Sequence, residues 1–275
     1  MSGCASFALR AFGALGITLL AAAPVARADN WADHVISYDP GQNPVSGYTD
    51  PATSLGEPTR FTGVGVFPGA VTPFNPAYMP TEIVSIGVGG SLVVKFDQPI
   101  TNDLAHPYGM DLLIFGNSGY NAINYPQGVT DGSLFGAGHG RIEVSADGSQ
   151  WTLINSVQAD GAFPTLGYSD MTDPYSPNPG SVLSDFTRPV NPTFTATSGT
   201  TFAQIVAAYA GSGGGTGVDI GEVGLSSISY VRITNPNSTG TVEIDAFSRV
   251  AVPGPGTGVA MLAVSILVGS RRRRC

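Results

Sequence analysis

The chain has 275 residues, 12 of them Lys or Arg and 20 Asp or Glu, and a formal net charge of −8, which disfavours nucleic acid as a partner. Gly 37 and Pro 21 together make about a fifth of it, a density of turn residues that favours short strands over helices. Both cysteines, Cys4 and Cys275, sit at the extreme ends, so a stable extracellular body could not rest on disulfides.

Residues 1–28 read as a secretory signal peptide. Arg10 supplies the positive charge, Ala11 to Val25 is an apolar run, and Ala26-Arg27-Ala28 offers small residues where a signal peptidase inspects, which predicts cleavage before Asp29. The run is short for a hydrocarbon core about 30 Å thick. Cys4 precedes the apolar region, whereas a lipobox cysteine would follow it.

The body is expected to span residues 29–250. Two arginines leave with the signal and four with the tail, so six of the 12 basic residues remain against all 20 acidic ones, a formal charge of −14. Period-two alternation recurs along it. Leu92, Val94 and Phe96 share one face of Ser91 to Phe96, and Asp111 to Phe115 is apolar on both faces, as a central strand would be. Arg141 to Ser145, the turn Ala146-Asp147-Gly148-Ser149 and Trp151 to Ile154 predict a hairpin. Thr201 to Tyr209 is the one helical window, stopped at Gly211, and Gly211 to Gly217 reads as a flexible connector without the lysine of a phosphate-binding loop. Ile228 to Thr234 and Thr241 to Phe247 predict a second hairpin around Asn235 to Gly240. The Pro-rich stretches Pro40 to Pro80 and Ala159 to Pro192 read as ordered loops or edge strands. The expected fold is all-β: a single antiparallel, jelly-roll-like β-sandwich with one short helix, flanked by the N-terminal signal helix and a short C-terminal transmembrane helix. Leu92, Val94, Phe96, Leu113, Phe115, Ile142, Val144 and Ile244 are its expected core.

No residue pattern in the body announces a chemistry. His34, His106 and His139 are scattered without zinc spacing, and no Gly-x-Ser-x-Gly elbow is present. Twenty carboxylates make a glycosidase-like acid and base conceivable, but no spacing selects a pair. Trp31, Trp151 and the tyrosines could stack on sugar rings; Trp151 reads more simply as a packing residue, while Tyr48, Tyr168 and Tyr175 lie in loops. An acidic body without disulfides would gain from a structural calcium ion, and Asp39, Asp219, Glu222 and Asp245 are the candidate ligands.

The tail, residues 251–275, opens with Val252-Pro253-Gly254-Pro255-Gly256 and closes with Arg271, Arg272, Arg273, Arg274 and Cys275. Gly258 to Gly269 between them is apolar apart from Ser265 and reaches only about 20 Å as a helix, a poor fit to a bilayer. The arginines would hold its end on the cytoplasmic side. These features resemble the PEP-CTERM sorting signal of Gram-negative and planctomycete-type bacteria, with Gly254 where that family carries an acidic residue. The resemblance implies processing by an exosortase-type enzyme and a surface location; a weak permanent membrane anchor is the alternative. In the body, Gly90 to Asp97, Leu113 to Asn117, Val144 to Trp151 and Glu243 to Phe247 resemble uncharacterised bacterial cell-surface proteins, distantly similar to discoidin or galactose-binding-like sandwiches. Many members of that broader fold bind carbohydrate and hold calcium, an analogy at the level of fold. The expectation is an exported cell-surface or extracellular-matrix protein of non-enzymatic type, acting through loops at one end of the sandwich. The alternatives are a binding module for extracellular polysaccharide and a hydrolase with a carboxylate site.

Overall fold

The structure, a computed structural model, describes residues 30–252. The signal segment with Ala26 and Ala28, and the tail from Pro253 to Arg274 and Cys275, lie outside the described residues; Val252 alone of the sorting motif lies within them, exposed. The strands are β1 (His34–Asp39), β2 (Phe61–Thr62), β3 (Gly69–Ala70), β4 (Val84–Ile86), β5 (Ser91–Thr101), β6 (Leu112–Gly116) and β7 (Gly119–Ala122). They continue with β8 (Thr130–Phe135), β9 (Gly140–Ser145), β10 (Thr152–Ala159), β11 (Thr216–Val218), β12 (Ser227–Thr234) and β13 (Val242–Arg249). One α-helix, α1 (Phe202–Tyr209), precedes β11. Among the described residues no helix is long and apolar enough to cross a membrane.

The fold is all-β and sandwich-like, with antiparallel pairing in both main sheets. One sheet runs β1-β5-β12-β9-β10 and the other β11-β6-β13-β4. Alternation puts one face of each strand inward. Leu92, Val94 and Phe96 of β5, Ile142 and Val144 of β9, Leu112 and Ile114 of β6 and Ile244 of β13 meet in one core. All eight residues expected to be buried are buried. Leu113 and Phe115 face the other way and pack with Phe186, Ala246 and Val250, so β6 is covered on both faces, as its unbroken apolar run predicts.

The β9–β10 hairpin forms as expected, with Val144 opposite Thr152. The second expected hairpin does not. β12 pairs with β5 and β9 in the five-stranded sheet, whereas β13 pairs with β6 and β4 in the other. Residues 235–241 therefore cross from sheet to sheet. Asn235 is buried in this crossover, donating from Nδ2 to the carbonyls of Ile86 (2.9 Å) and Gly240 (3.1 Å). A turn-rich link between two alternating strands is equally suited to a hairpin or a crossover; only the partners β5 and β6 decide between them.

The register of β13 slips between Ile244 and Ala246. One extra residue there returns Phe247, not Ala246, to the inter-sheet core. The bulge residue Asp245 is only 2% exposed, and its carboxylate accepts from Thr59 N and Thr59 Oγ1, both at 2.9 Å.

The Pro-rich loops are ordered, as expected, and build a core of their own. Phe74, Leu166, Met171 and Val190 pack with Tyr120 and with Phe202, Ile205 and Tyr209 of α1. Helix α1 begins at a capping box, Thr201 with Gln204, and ends at Tyr209 as expected, but the left-handed step falls on Ala210, at φ 51, one residue before Gly211. The glycine-rich segment is not a flexible connector. Residues 212–216 are buried, and a Cβ on Gly213 would lie 2.0 Å from Phe186 Cδ1. The segment is glycine-rich because an aromatic ring occupies the space a side chain would need.

Candidate ligand-binding groove

The two ends of the described chain lie side by side. Trp31 bridges Ser248, Arg249 N donates to Asn30 O at 2.8 Å, and Ala251 N donates to Thr187 O at 3.0 Å. Beside this junction opens a groove of about 930 Å³, whose walls include Trp31, Arg60, Tyr108, Asp185, Phe186 and Arg188.

Its aromatic wall is built from the outer face of the four-stranded sheet outward. Phe115 of β6 meets Phe186 edge to face at 5.2 Å between ring centroids, and Phe186 meets Trp31 at 6.5 Å. The Arg60 guanidinium lies 4.0 Å above the Phe186 ring. Arg60 Nη1 donates to the carbonyls of Gly167 (2.6 Å) and Ser184 (3.0 Å), and Nη2 to Glu57 Oε1 (2.6 Å). With these donors engaged, Arg60 is a clamp that joins loops to sheet.

Tyr108 stands on the opposite side, 54% exposed, in a one-turn 3-10 helix (Pro107–Gly109) where its φ is 59. A buried pair fixes that turn. His106 Nδ1 lies 2.7 Å from Asp111 Oδ1, while Asp111 Oδ2 accepts from Ile220 N at 3.0 Å. Holding a non-glycine residue at positive φ costs energy, here at the position that presents a ring to the groove.

The polar groups differ in how far they are engaged. Asp185 Oδ1 accepts from Thr187 N (2.9 Å) and Thr187 Oγ1 (2.6 Å). Arg188 is exposed and its guanidinium makes no hydrogen bond or ion pair within the described residues. Ser184 is 2% exposed, and its Oγ has no partner. Aromatic faces beside unengaged donors are what a polyhydroxylated ring needs: CH groups stack on the rings while hydroxyls meet the donors.

A second, smaller cleft of about 360 Å³ lies between β11 and the loops, lined by Met110, Tyr120, Leu134, Phe163 and Phe194 among others. Its wall is chiefly apolar, with Thr195 and Thr216 the hydroxyl-bearing threonines.

The four carboxylates expected to hold calcium are not brought together. Asp39 ends β1 opposite Ser91 and accepts from Gly41 N at 3.0 Å. Asp219 caps the 3-10 turn Ile220–Val223 through Gly221 N, Glu222 bonds Ser156 Oγ, and Asp245 is taken by Thr59. β4 pairs with the start of β13, at Val242 to Ile244, while the segment before β1 meets the end of β13 at Asn30, Trp31 and Ala32 before β1 turns away into the five-stranded sheet. Among the described residues no three His, Cys, Asp or Glu side chains group as metal ligands.

Other candidates are half-buried structural residues. Tyr48 donates to Tyr78 O at 2.6 Å, and Tyr168 and Tyr175 pack on the loop-built core. Trp151 lies under Arg232, whose guanidinium is 4.3 Å from its ring and bidentate to Glu143. His139 is exposed at φ 53, and His34 pairs with Asp97 at the surface.

The groove residues Arg60, Tyr108, Asp185 and Arg188 carry no local motif. The available signal was scarcity: Arg60 and Arg188 are two of only six basic residues in a strongly acidic body. No protein-family model matches the chain, and no curated protein matches it. What fold and site define is a class: an all-β, sandwich-like protein with an aromatic, partly polar groove where the ends of the described chain meet.

Proposed function

We propose that this is an exported cell-surface or extracellular-matrix protein of non-enzymatic type, which binds extracellular polysaccharide in the groove beside Tyr108 and Arg188. The observation that carries this reading is the groove itself: Trp31, backed by the buried Phe186, and Tyr108 provide aromatic surface, and Arg188 a guanidinium that makes no hydrogen bond or ion pair among the described residues. The body's charge of −14 argues against nucleic acid and favours neutral over anionic glycans. We read the sandwich as jelly-roll-like. Of the nine strands in its two main sheets, β4 pairs with β13 and β5 with β12, so that the chain's early and late strands lie together.

Affinity electrophoresis through gels containing neutral polysaccharides tests the binding. Retardation of the wild-type protein is expected with at least one of them, with Tyr108→Ala and Arg188→Ala each weakening it by about 1–3 kcal/mol, the range of a lost stacking or charge-assisted contact. Free migration of the wild-type protein in every gel would count against a saccharide ligand. A hydrolase is the second reading, favoured by Glu57 and Asp185 lining one groove; release of reducing ends by the purified protein is its test.

Delivery is proposed to follow from the ends of the chain: signal cleavage after Ala28, then processing of Val252 to Gly256 by an exosortase-type enzyme while Arg271 to Arg274 stay on the cytoplasmic side. Replacing the four arginines with neutral residues should leave unprocessed or mislocalised precursor in cell fractions. Normal surface delivery of that variant would remove the sorting interpretation.

A further inference from the structure

Where β6, β10 and β13 converge, the Asp160 carboxylate, bonded to the backbone of Glu243, lies near the side-chain pair of Asn117 and Glu243. Hydrogen bonds within the described residues leave two of their oxygens without a partner. Asp160 follows β10 directly and is 1% exposed. Its Oδ2 accepts from Gly138 N and Glu243 N, both at 3.0 Å, and the Ser118 amide also favours the ionised carboxylate, while Oδ1 makes no well-formed hydrogen bond among the described residues. Asn117, just after β6, donates from Nδ2 to Glu243 Oε2, and its Oδ1 is likewise buried without a partner. Only three buried side-chain polar atoms among the described residues are unpartnered, and two of them are these oxygens.

Each is an oxygen, and a buried oxygen with nothing donating to it loses hydration without return. Charge sharpens the point. Glu243 lies close enough to Asp160 to oppose its ionisation, yet neither carboxylate takes part in the ion pairs Arg60–Glu57, Lys95–Asp97 or Arg232–Glu143. Ionising Asp160 beside the Glu243 carboxylate is unfavourable in a medium of low dielectric unless a cation accompanies the charge, so without an ion the buried carboxyl keeps its proton.

Glycines flank the Asp160 carboxylate on both sides. A Cβ on Gly116 would lie 2.5 Å from Oδ1, and one on Gly138 would lie 2.7 Å from Oδ2. A surface basin of about 340 Å³ is lined by Gly138, whose N–H meets the Asp160 carboxylate, and by His139, Asn237 and Thr241 among others.

We propose that Asp160, Asn117 and Glu243 form a calcium site joining β6, β10 and β13. The donors are all oxygens, a mixture of carboxylate and amide carbonyl. That set suits a hard cation of flexible coordination better than zinc, which prefers nitrogen and sulfur, or magnesium, which demands strict octahedral geometry. The ion would supply the positive charge that the two carboxylates lack and would tie the end of β10 to the start of β13. The site is independent of the groove and of its ligand.

To test it, protein stripped with chelator is melted with and without millimolar calcium, the range in which extracellular sites work, and its bound metal is counted by native mass spectrometry. Expected are a bound calcium ion and a raised melting temperature. Half-saturation should weaken about tenfold or more in Asn117→Ala and Glu243→Gln, since even outer-sphere partners of a metal carry that much. Asp39→Asn and Asp219→Asn should leave the calcium response unchanged. Asn117 is only half-buried, so its variant reads the site even if Glu243→Gln fails to fold. A wild-type protein that binds no calcium overturns the assignment, as does calcium binding that Asn117→Ala retains in full.

Discussion

Between the two sheets, Leu92, Val94, Phe96, Ile142 and Val144 reach the core from strands whose alternate residues are apolar. In the loop-built core, Phe74, Leu166, Val190 and Tyr209 arrive from segments with no period, brought together by turns, prolines and one capped helix. Both regions exclude water, but only the first does so through repeating backbone geometry. The sandwich distributes its stability over ladders of hydrogen bonds and many interchangeable apolar contacts. The loop layer depends on single fitted contacts, such as the Phe186 ring in the space that Gly213 leaves open.

The comparison can be broken first at the ring both regions share. Phe115 belongs to β6 and touches Phe186 of the loop layer. Phe115→Ala should cost about 3–5 kcal/mol in chemical denaturation, the range for a buried phenylalanine. A loss confined to the loops, with the sheets unfolding unchanged, would show that the two layers do not share one cooperative unit.

Protons offer a second separation, on the order of a few kcal/mol. Burial pushes the carboxyls of Asp160 and Asp245 up to about 7, from 3.8 for an ordinary aspartate. The folded state therefore holds protons that the unfolded chain has released between about pH 4 and 7. Stability falls as pH rises through that window, and the melting temperature in chelator should drop from pH 5 to pH 8. Asp245→Asn, which keeps a neutral group beside Thr59, should flatten the slope. A melting temperature that rises over this range would mean that Thr59 and the backbone amides hold both groups ionised.

The smallest effect sharpens the contrast within the loop layer. Thr201→Ala removes one half of the capping box of α1 and should cost about 1 kcal/mol. The helix carries Phe202, Ile205 and Tyr209 into the loop-built core, so hydrogen exchange should quicken in that core more than in β5 or β12. Equal quickening in both would mean that the loop layer has no local unfolding of its own.

The strand patterns in residues 91–96, 111–115, 141–145, 228–234 and 241–247 were legible because each side chain's face depends on its neighbours along the chain. The same local information does not say which strand is the partner. Thus Ile228 to Thr234 and Thr241 to Phe247 were identified as strands, while their division between two sheets was not. The candidate metal residues show the same limit. Asp39 and Asp245 were candidates for one ion, but Asp39 lies in β1 of the five-stranded sheet and Asp245 in β13 of the other, bonded to Thr59.

By itself the sequence determined six of the thirteen strands (β5, β6, β9, β10, β12 and β13), the helix, their core faces and the balance of charge, because these follow from short-range backbone and hydrophobic patterning. Short strands such as β4 and β11 depend on their partners. It also determined that an acidic body with six basic residues would make each arginine conspicuous. Only the tertiary structure decided that Arg60 and Arg188 share a groove with Tyr108, and that Glu243 takes Asn117 on its side chain and Asp160 on its backbone amide. Those residues lie tens of positions apart, and no local pattern encodes where a loop must pass. Their meeting follows from the order of strands in two sheets and from the space that glycine leaves beside a ring or a carboxylate.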